Sequence, residues 1–267
     1  MSLAEATRAL TGQEILFVQT LQGGDLSQVA RITLAPDHIT YVAKTGPRVA
    51  CEARMLAALA QAGSPVPDVI GVSGDVLLME DLPEGPATPD AWAGLGMALK
   101  AQHEVAGAAY GWAEPYAFGP VDIPCAPRAT WPGFWADQRL IAAPGEMPRA
   151  IAKRLERLSA RLPDLLPPAP PASLLHGDLW RGNVHFSGGK GFFIDPACYH
   201  GHGEVDLAML HLFGAPPPEF QDAYGALDAG AAERRPIYQL WPALVHLRLF
   251  GAGYRGLVEN LLDRCGV

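Results

Sequence analysis

Three short runs, residues 14–21, 28–34 and 38–44, are rich in apolar positions and are separated by the turn-forming stretches Gln22-Gly23-Gly24-Asp25 and Ala35-Pro36-Asp37. The pattern predicts an antiparallel meander. Between 48 and 62 the apolar residues fall at helical spacing, and the run stops at Gly63 with Pro65 and Pro67 just beyond, as a helix terminating on glycine does. Two more short apolar runs, 69–72 and 76–79, complete an expected five-stranded sheet with one helix packed on it. After Glu80-Asp81-Leu82-Pro83-Glu84-Gly85-Pro86 the texture changes, because the periodic segments near 88–102, 133–142, 148–161 and 233–262 are helical. The expected organisation is therefore α+β: a small antiparallel-sheet part over residues 1–80 and a mainly helical part over 81–267. The proline cluster Pro167-Pro168-Ala169-Pro170-Pro171 reads as an internal connection, since a short strand-loop-strand unit follows at once.

Composition narrows the partners. With 49% hydrophobic and 18% charged residues over 267 positions, the chain has ample material for a core, and two lobes closed around a cleft are a natural outcome. The formal net charge of -8 argues against nucleic-acid binding. No apolar run approaches the roughly 18 residues that span a bilayer, and residues 1–10 carry Glu5 and Arg8 where a signal peptide has its apolar stretch. The expectation is a cytoplasmic monomer with no membrane partner. Cys51, Cys125, Cys198 and Cys265 lie far apart without a C-x-x-C pair, which predicts reduced thiols rather than a zinc site or disulfide framework.

The strongest chemical signal is Ser173-Leu174-Leu175 running into His176-Gly177-Asp178-Leu179-Trp180-Arg181-Gly182-Asn183, then Val184-His185-Phe186, a turn at Gly188-Gly189, and Phe192-Phe193-Ile194-Asp195-Pro196. Phosphoryl transfer needs a carboxylate near the attacking hydroxyl and oxygen ligands for magnesium between the phosphates. Asp178, Asn183 five positions later and Asp195 after a hairpin have that spacing. Singly, each fragment has a plainer meaning, because His-Gly-Asp serves as a turn and Ile-Asp-Pro as a strand exit. Together they point to a kinase.

The first part of the chain offers matching nucleotide groups. Lys44 ends the third expected strand and Glu52 lies in the following helix, where a Lys-Glu pair would orient Lys44 toward phosphates. Gly23, Gly24 and Ser27 lie between the first two strands, where backbone N–H groups would approach phosphate. Met79-Glu80-Asp81-Leu82 falls where the chain crosses from one part to the other, and its main chain would pair with adenine. Asp206 opens an expected helix and would support the loop around Asp178 by accepting backbone hydrogen bonds, with His176 supporting the same loop. The histidines show no metal-ligand spacing.

These residues resemble the fructosamine kinase (ketosamine kinase) family within the aminoglycoside phosphotransferase and protein-kinase-like group. The resemblance covers most of the chain and rests on Gly23-Gly24 with Ser27, Lys44, Glu52, Met79-Glu80, Phe134 with Arg139-Leu140 and the loop from His176 to Asn183. It extends through Ile194-Asp195-Pro196-Ala197-Cys198-Tyr199, Glu204-Val205-Asp206-Leu207-Ala208-Met209 and the stretch from His246 through Phe250-Gly251-Ala252-Gly253-Tyr254. It implies a two-lobed protein-kinase-like fold and ATP- and Mg2+-dependent phosphorylation of a sugar hydroxyl on a small-molecule or protein-bound ketoamine, as deglycation repair. By carry-over, Asp178 is the base, Asn183 and Asp195 hold magnesium, Lys44 contacts phosphate and Glu52 orients it. A protonated amine beside a polyol calls for an acidic wall for the cation, assigned to Asp178 and Glu204, and for planar or apolar surface for the sugar, assigned to Trp180 and Phe250. The phosphate loop lacks the cysteine that some relatives carry there, and Ile123 to Thr130 departs from the family pattern. A kinase of aminoglycosides, choline or homoserine is the rival enzyme reading, and a nucleotide-binding module without catalysis is the rival from another class.

Overall fold

The computed structural model describes residues 1–21 and 28–267. The chain opens with a helix that the apolar pattern did not reveal, α1 (Leu3–Thr11). Ser2 caps it reciprocally: its hydroxyl accepts the Glu5 N–H, and the Glu5 carboxylate accepts the Ser2 N–H at 2.7 Å. Strands β1 (Glu14–Leu21), β2 (Gln28–Ala35), β3 (Thr40–Thr45), β4 (Val69–Ser73) and β5 (Val76–Glu80) form one antiparallel sheet in the order β1-β2-β3-β5-β4. The third strand starts two residues later than its apolar run because His38, at φ +55, turns the chain and donates its N–H to Leu34 O. Helix α2 (Val49–Gln61) lies against β4 and β5.

The remainder is mainly helical. Helix α3 (Pro89–Glu104) is capped by Thr88, whose hydroxyl accepts the Ala91 N–H. A short hairpin follows, β6 (Tyr116–Phe118) with β7 (Val121–Ile123). The helix expected over 133–142 is instead a short α4 (Trp131–Trp135) running into a wider π-helical turn, Ala136–Leu140. Helix α5 (Arg149–Leu165) buries Ile151, Leu155, Leu158 and Leu162, a single stripe at helical spacing, and leaves most of its arginines to solvent.

Two hairpin-like pairs then carry the motif residues: β8 (Ser173–Leu175) pairs with β11 (Tyr199–Gly201), and β9 (Val184–Ser187) with β10 (Lys190–Phe193). Helices α6 (Glu204–Leu210), α7 (Pro218–Tyr224), α8 (Ala231–Phe250) and α9 (Arg255–Arg264) complete the fold. The single helix expected over 233–262 is broken at Gly251, whose φ of +80 and ψ of -158 end α8 and start the turn Gly251–Tyr254.

Three apolar clusters hold these layers. One fills the space among α4, α5, α8 and α9 around Trp131, Trp135 and Tyr238. A second joins Met55 and Leu59 of α2 and Leu77 of β5 to Leu95, Leu174, Leu179 and Phe193. That shared core presses the sheet and its helix against the strands bearing the motif. The third seals α1 onto the sheet through Ala6, Ile32 and Leu34. Among the described residues, no helix is long and apolar enough to cross a membrane.

Candidate active site

Strand β8 delivers the chain into the loop from His176 to Asn183. Gly177 sits at φ +81, and a Cβ there would lie 2.0 Å from Ala197 O, so both conformation and space demand glycine. Asp206, in the first turn of α6, is fully buried and accepts the backbone N–H of His176 at 2.7 Å and of Gly177 at 2.9 Å. His176 is equally buried; its Nε2–H donates to Ile194 O at 3.0 Å, and its Nδ1 accepts the Asp178 N–H at 3.3 Å. That pattern requires neutral imidazole, and burial holds its pKa below the ordinary value.

Asn183 donates from Nδ2 to both the backbone oxygen and Oδ2 of Asp178, at 2.8 and 2.9 Å. The amide thereby fixes the carboxylate and leaves Asp178 Oδ1 and its own Oδ1 free of partners among the described residues. Burial pushes the Asp178 carboxyl up to about 7 against the opposing Asn183 bond.

After the β9–β10 hairpin, Ile194 N–H returns to Asn183 O at 3.1 Å, and Asp195 follows at φ +54. This places its Oδ1 2.8 Å from Lys44 Nζ, which also donates to Glu52 Oε1 at 2.8 Å. Burial alone would lower the Lys44 pKa, but the two carboxylates outweigh it and the pKa rises. Glu52, buried and sharing one ammonium with Asp195, is pushed upward. Asn183 Oδ1 and Asp195 Oδ2 are hard oxygen donors on residues that line the same cavity, a donor set suited to magnesium.

Lys44, Glu52, Asp178, Asn183 and Asp195 all line one cavity of about 580 Å³. Trp180 and Phe250 line it as well. Glu204 does not: its carboxylate takes Arg234 in a two-point pair, at 2.8 and 2.5 Å, and is nine-tenths buried away from the cavity. The acceptor role expected for Glu204 is therefore corrected, because the charge is already neutralised. His202, Glu204 and Asp228 do bring ligand atoms within 4.8 Å of one another, but the same Arg234 occupies the carboxylate.

Met79, Glu80, Asp81 and Leu82 stand apart from this cavity's lining. Met79 is buried in the sheet opposite Val42, Glu80 N–H donates to Asp68 O, Asp81 pairs with Arg31 at 2.7 Å, and Leu82 O accepts from His185 Nε2 at 2.8 Å. Gly23, Gly24 and Ser27 fall outside the described residues. The pattern reading missed Tyr116, Phe213 and Trp241, all on the cavity wall. The β6–β7 strands that carry Tyr116 are three residues long, too short to show a period.

The profile of a family described as fructosamine kinase matches residues 3–266. A protein of Thermus thermophilus named a probable ketoamine kinase is 34% identical over 254 residues, covering 91% of this chain and 92% of the relative. The crystal structure of a protein assigned as a fructosamine-3-kinase from Thermobifida fusca superposes with a TM-score of 0.90 at 34% identity, covering 99% and 98% of the two chains. An aminoglycoside phosphotransferase solved with ADP and hygromycin B shares the fold, with a TM-score of 0.64 at 14% identity over 100% and 97% of the chains.

Proposed function

Because this chain belongs to the fructosamine kinase family, we propose that it transfers the γ-phosphate of ATP to a sugar hydroxyl of a ketoamine, the adduct of a reducing sugar with an amine. It is a phosphotransferase enzyme of the protein-kinase-like fold. The observation that supports the finer reading is the convergence of Asp178, Asn183, Asp195 and Lys44 on one cavity from three separate stretches of chain. A neighbour of the same fold was solved with ADP, which supports nucleotide use.

In this reading residues 1–80 hold the nucleotide, and residues 81–267 supply catalysis and the acceptor site. Lys44, held by Glu52, meets the phosphates, with Gly23, Gly24 and Ser27 as their loop. Asp178 Oδ1 takes the proton of the attacking hydroxyl while Asn183 keeps Oδ2 from rotating away. The hydroxyl oxygen bonds to the γ-phosphorus and ADP leaves. Asn183 and Asp195 would hold magnesium, which when bound neutralises charge on the transferring phosphate.

The deciding measurement is kcat/KM for a ribulosamine, a fructosamine, choline and an aminoglycoside. A ketoamine should lead. Choline or an aminoglycoside ahead by tenfold, about 1.4 kcal/mol of transition-state preference, overturns the assignment. A nucleotide-induced rise in stability with no acceptor-dependent ATP turnover would favour a nucleotide-binding module instead.

A further inference from the structure

The outer half of the cavity is walled by aromatic rings. Phe213 follows α6, His246 and Phe250 lie on α8, and Tyr254 ends the turn after Gly251. His246 is the hub: its ring centroid is 5.0 Å from Phe213, 5.4 Å from Phe250 and 5.0 Å from Tyr254. Trp180 joins through Phe213 at 6.1 Å, so the catalytic loop and the end of α8 share one surface. Of the four exposed Phe and Trp side chains among the described residues, three belong to this cluster: Trp180 at 38%, Phe213 at 43% and Phe250 at 44%. Exposed rings gathered at a cavity mouth are the mark of a surface that a ligand covers.

Charge identifies the kind of ligand. The lining's carboxylates are Glu52, Asp178 and Asp195; Lys44 engages two of them, and Asp178 faces the reacting hydroxyl in the proposed reaction. Glu204 is held by Arg234. A cation entering the outer half therefore meets the electron-rich faces of rings, not a carboxylate. His246 does not oppose it, because its Nδ1–H donates to Pro242 O at 2.8 Å, and burial keeps the imidazole neutral.

We propose that Trp180, Phe213, His246, Phe250 and Tyr254 form an aromatic cage that receives the protonated secondary amine of the acceptor and thereby selects ketoamines over free sugars. The inference rests on the ketoamine reading above and assigns the amine subsite within it. The sugar hydroxyl then points inward to Asp178, and the substituent on nitrogen lies at the mouth among the exposed rings.

The test compares wild type with Phe250→Leu and Phe213→Leu, which keep apolar volume and remove the ring. The acceptors are a fructosamine of a simple alkylamine and its N-acetyl derivative, which keeps the sugar but has no charge on nitrogen. For the charged acceptor each variant should raise KM about tenfold, with a smaller effect on kcat, the factor equivalent to ~1.4 kcal/mol. For the neutral derivative the variants and wild type should agree within about twofold, a change worth only ~0.4 kcal/mol. Equal losses on both acceptors would show that the rings pack against sugar, and unchanged KM on both would show that they touch neither; either result overturns the cage. A wild type that turns over no ketoamine would instead sink the functional reading. The cage would then be decided by titrating benzyltrimethylammonium against indole fluorescence, where absence of saturable binding in the wild type overturns it.

Discussion

Asp206 lies thirty residues after His176 in the chain, yet its Oδ2 accepts the His176 backbone N–H at 2.7 Å, while Oδ1 takes the next N–H, that of Gly177. One buried carboxylate thus holds both amides at the turn into the catalytic loop, and His103 Nε2 approaches the same oxygen at 3.2 Å. Asp206→Asn leaves one acceptor facing two donors. Charged hydrogen bonds of this kind contribute about 1.5–3 kcal/mol, so the variant should lose roughly 2 kcal/mol of stability together with activity. Denaturant titration against kcat measures both, and an unchanged midpoint with full turnover would remove Asp206 from this supporting role.

Asp178→Asn preserves shape and removes the proton acceptor. General-base catalysis contributes about 10²–10⁴ in rate. We expect kcat to fall by that order while nucleotide affinity changes by less than about threefold, since in the proposed reaction the carboxylate serves the hydroxyl and not the triphosphate. Near-normal turnover would refute the assignment of Asp178 as base.

Asp195→Ala removes one of two carboxylates on Lys44 and one proposed magnesium ligand. Magnesium-dependent nucleotide binding and phosphoryl transfer should fail together, with affinity weakened about tenfold or more. Calorimetry with and without magnesium reads this directly. A wild type whose nucleotide affinity ignores magnesium would overturn the metal role.

Acid should loosen the fold through its buried imidazoles. The folded pKa of His176 lies below its ordinary 6.5, so between 6.5 and that lower value the unfolded chain binds a proton that the folded chain refuses. Stability is therefore retained above 6.5 and falls as pH drops below it, by up to about 1.4 kcal/mol per pH unit for each such group. His200, His202, His211 and His246 are shifted in the same direction by burial. His176→Gln, which retains a donor for Ile194 O, should be less stable at pH 7.5 but lose less on going to pH 5.5. A steeper acid dependence in the variant would contradict the neutral state assigned to His176.

What could be read from the sequence was what local chemistry dictates. The Asp178, Asn183 and Asp195 spacing survives translation into three dimensions because a loop and a hairpin connect the three directly, and Lys44 with Glu52 because a strand runs straight into a helix. The sheet was legible because its turns hold Gly, Pro and Asp at the breaks. Glu204 was misplaced for the opposite reason: the residue that captures it, Arg234, lies on another helix, and no pattern around Glu204 announces it. The break in the last long helix depended on one glycine inside a stretch otherwise suited to continue. The aromatic wall is only partly local: His246 and Phe250 lie four residues apart on α8, but Phe213 joins them only once α6 packs on α8.

Lys44 and Asp195 are 151 residues apart and touch at 2.8 Å. During synthesis at about 5–20 residues per second, the last strand of the sheet, ending at Glu80, is made roughly six to twenty-three seconds before its distant carboxylate exists. Until then Lys44 has only Glu52, and the nascent sheet lacks the groups that would complete a nucleotide site. In the proposed reaction, competence thus waits on the last of these charged groups: a chain stalled before residue 195 would hold Lys44 and Glu52 without the carboxylate that completes their trio.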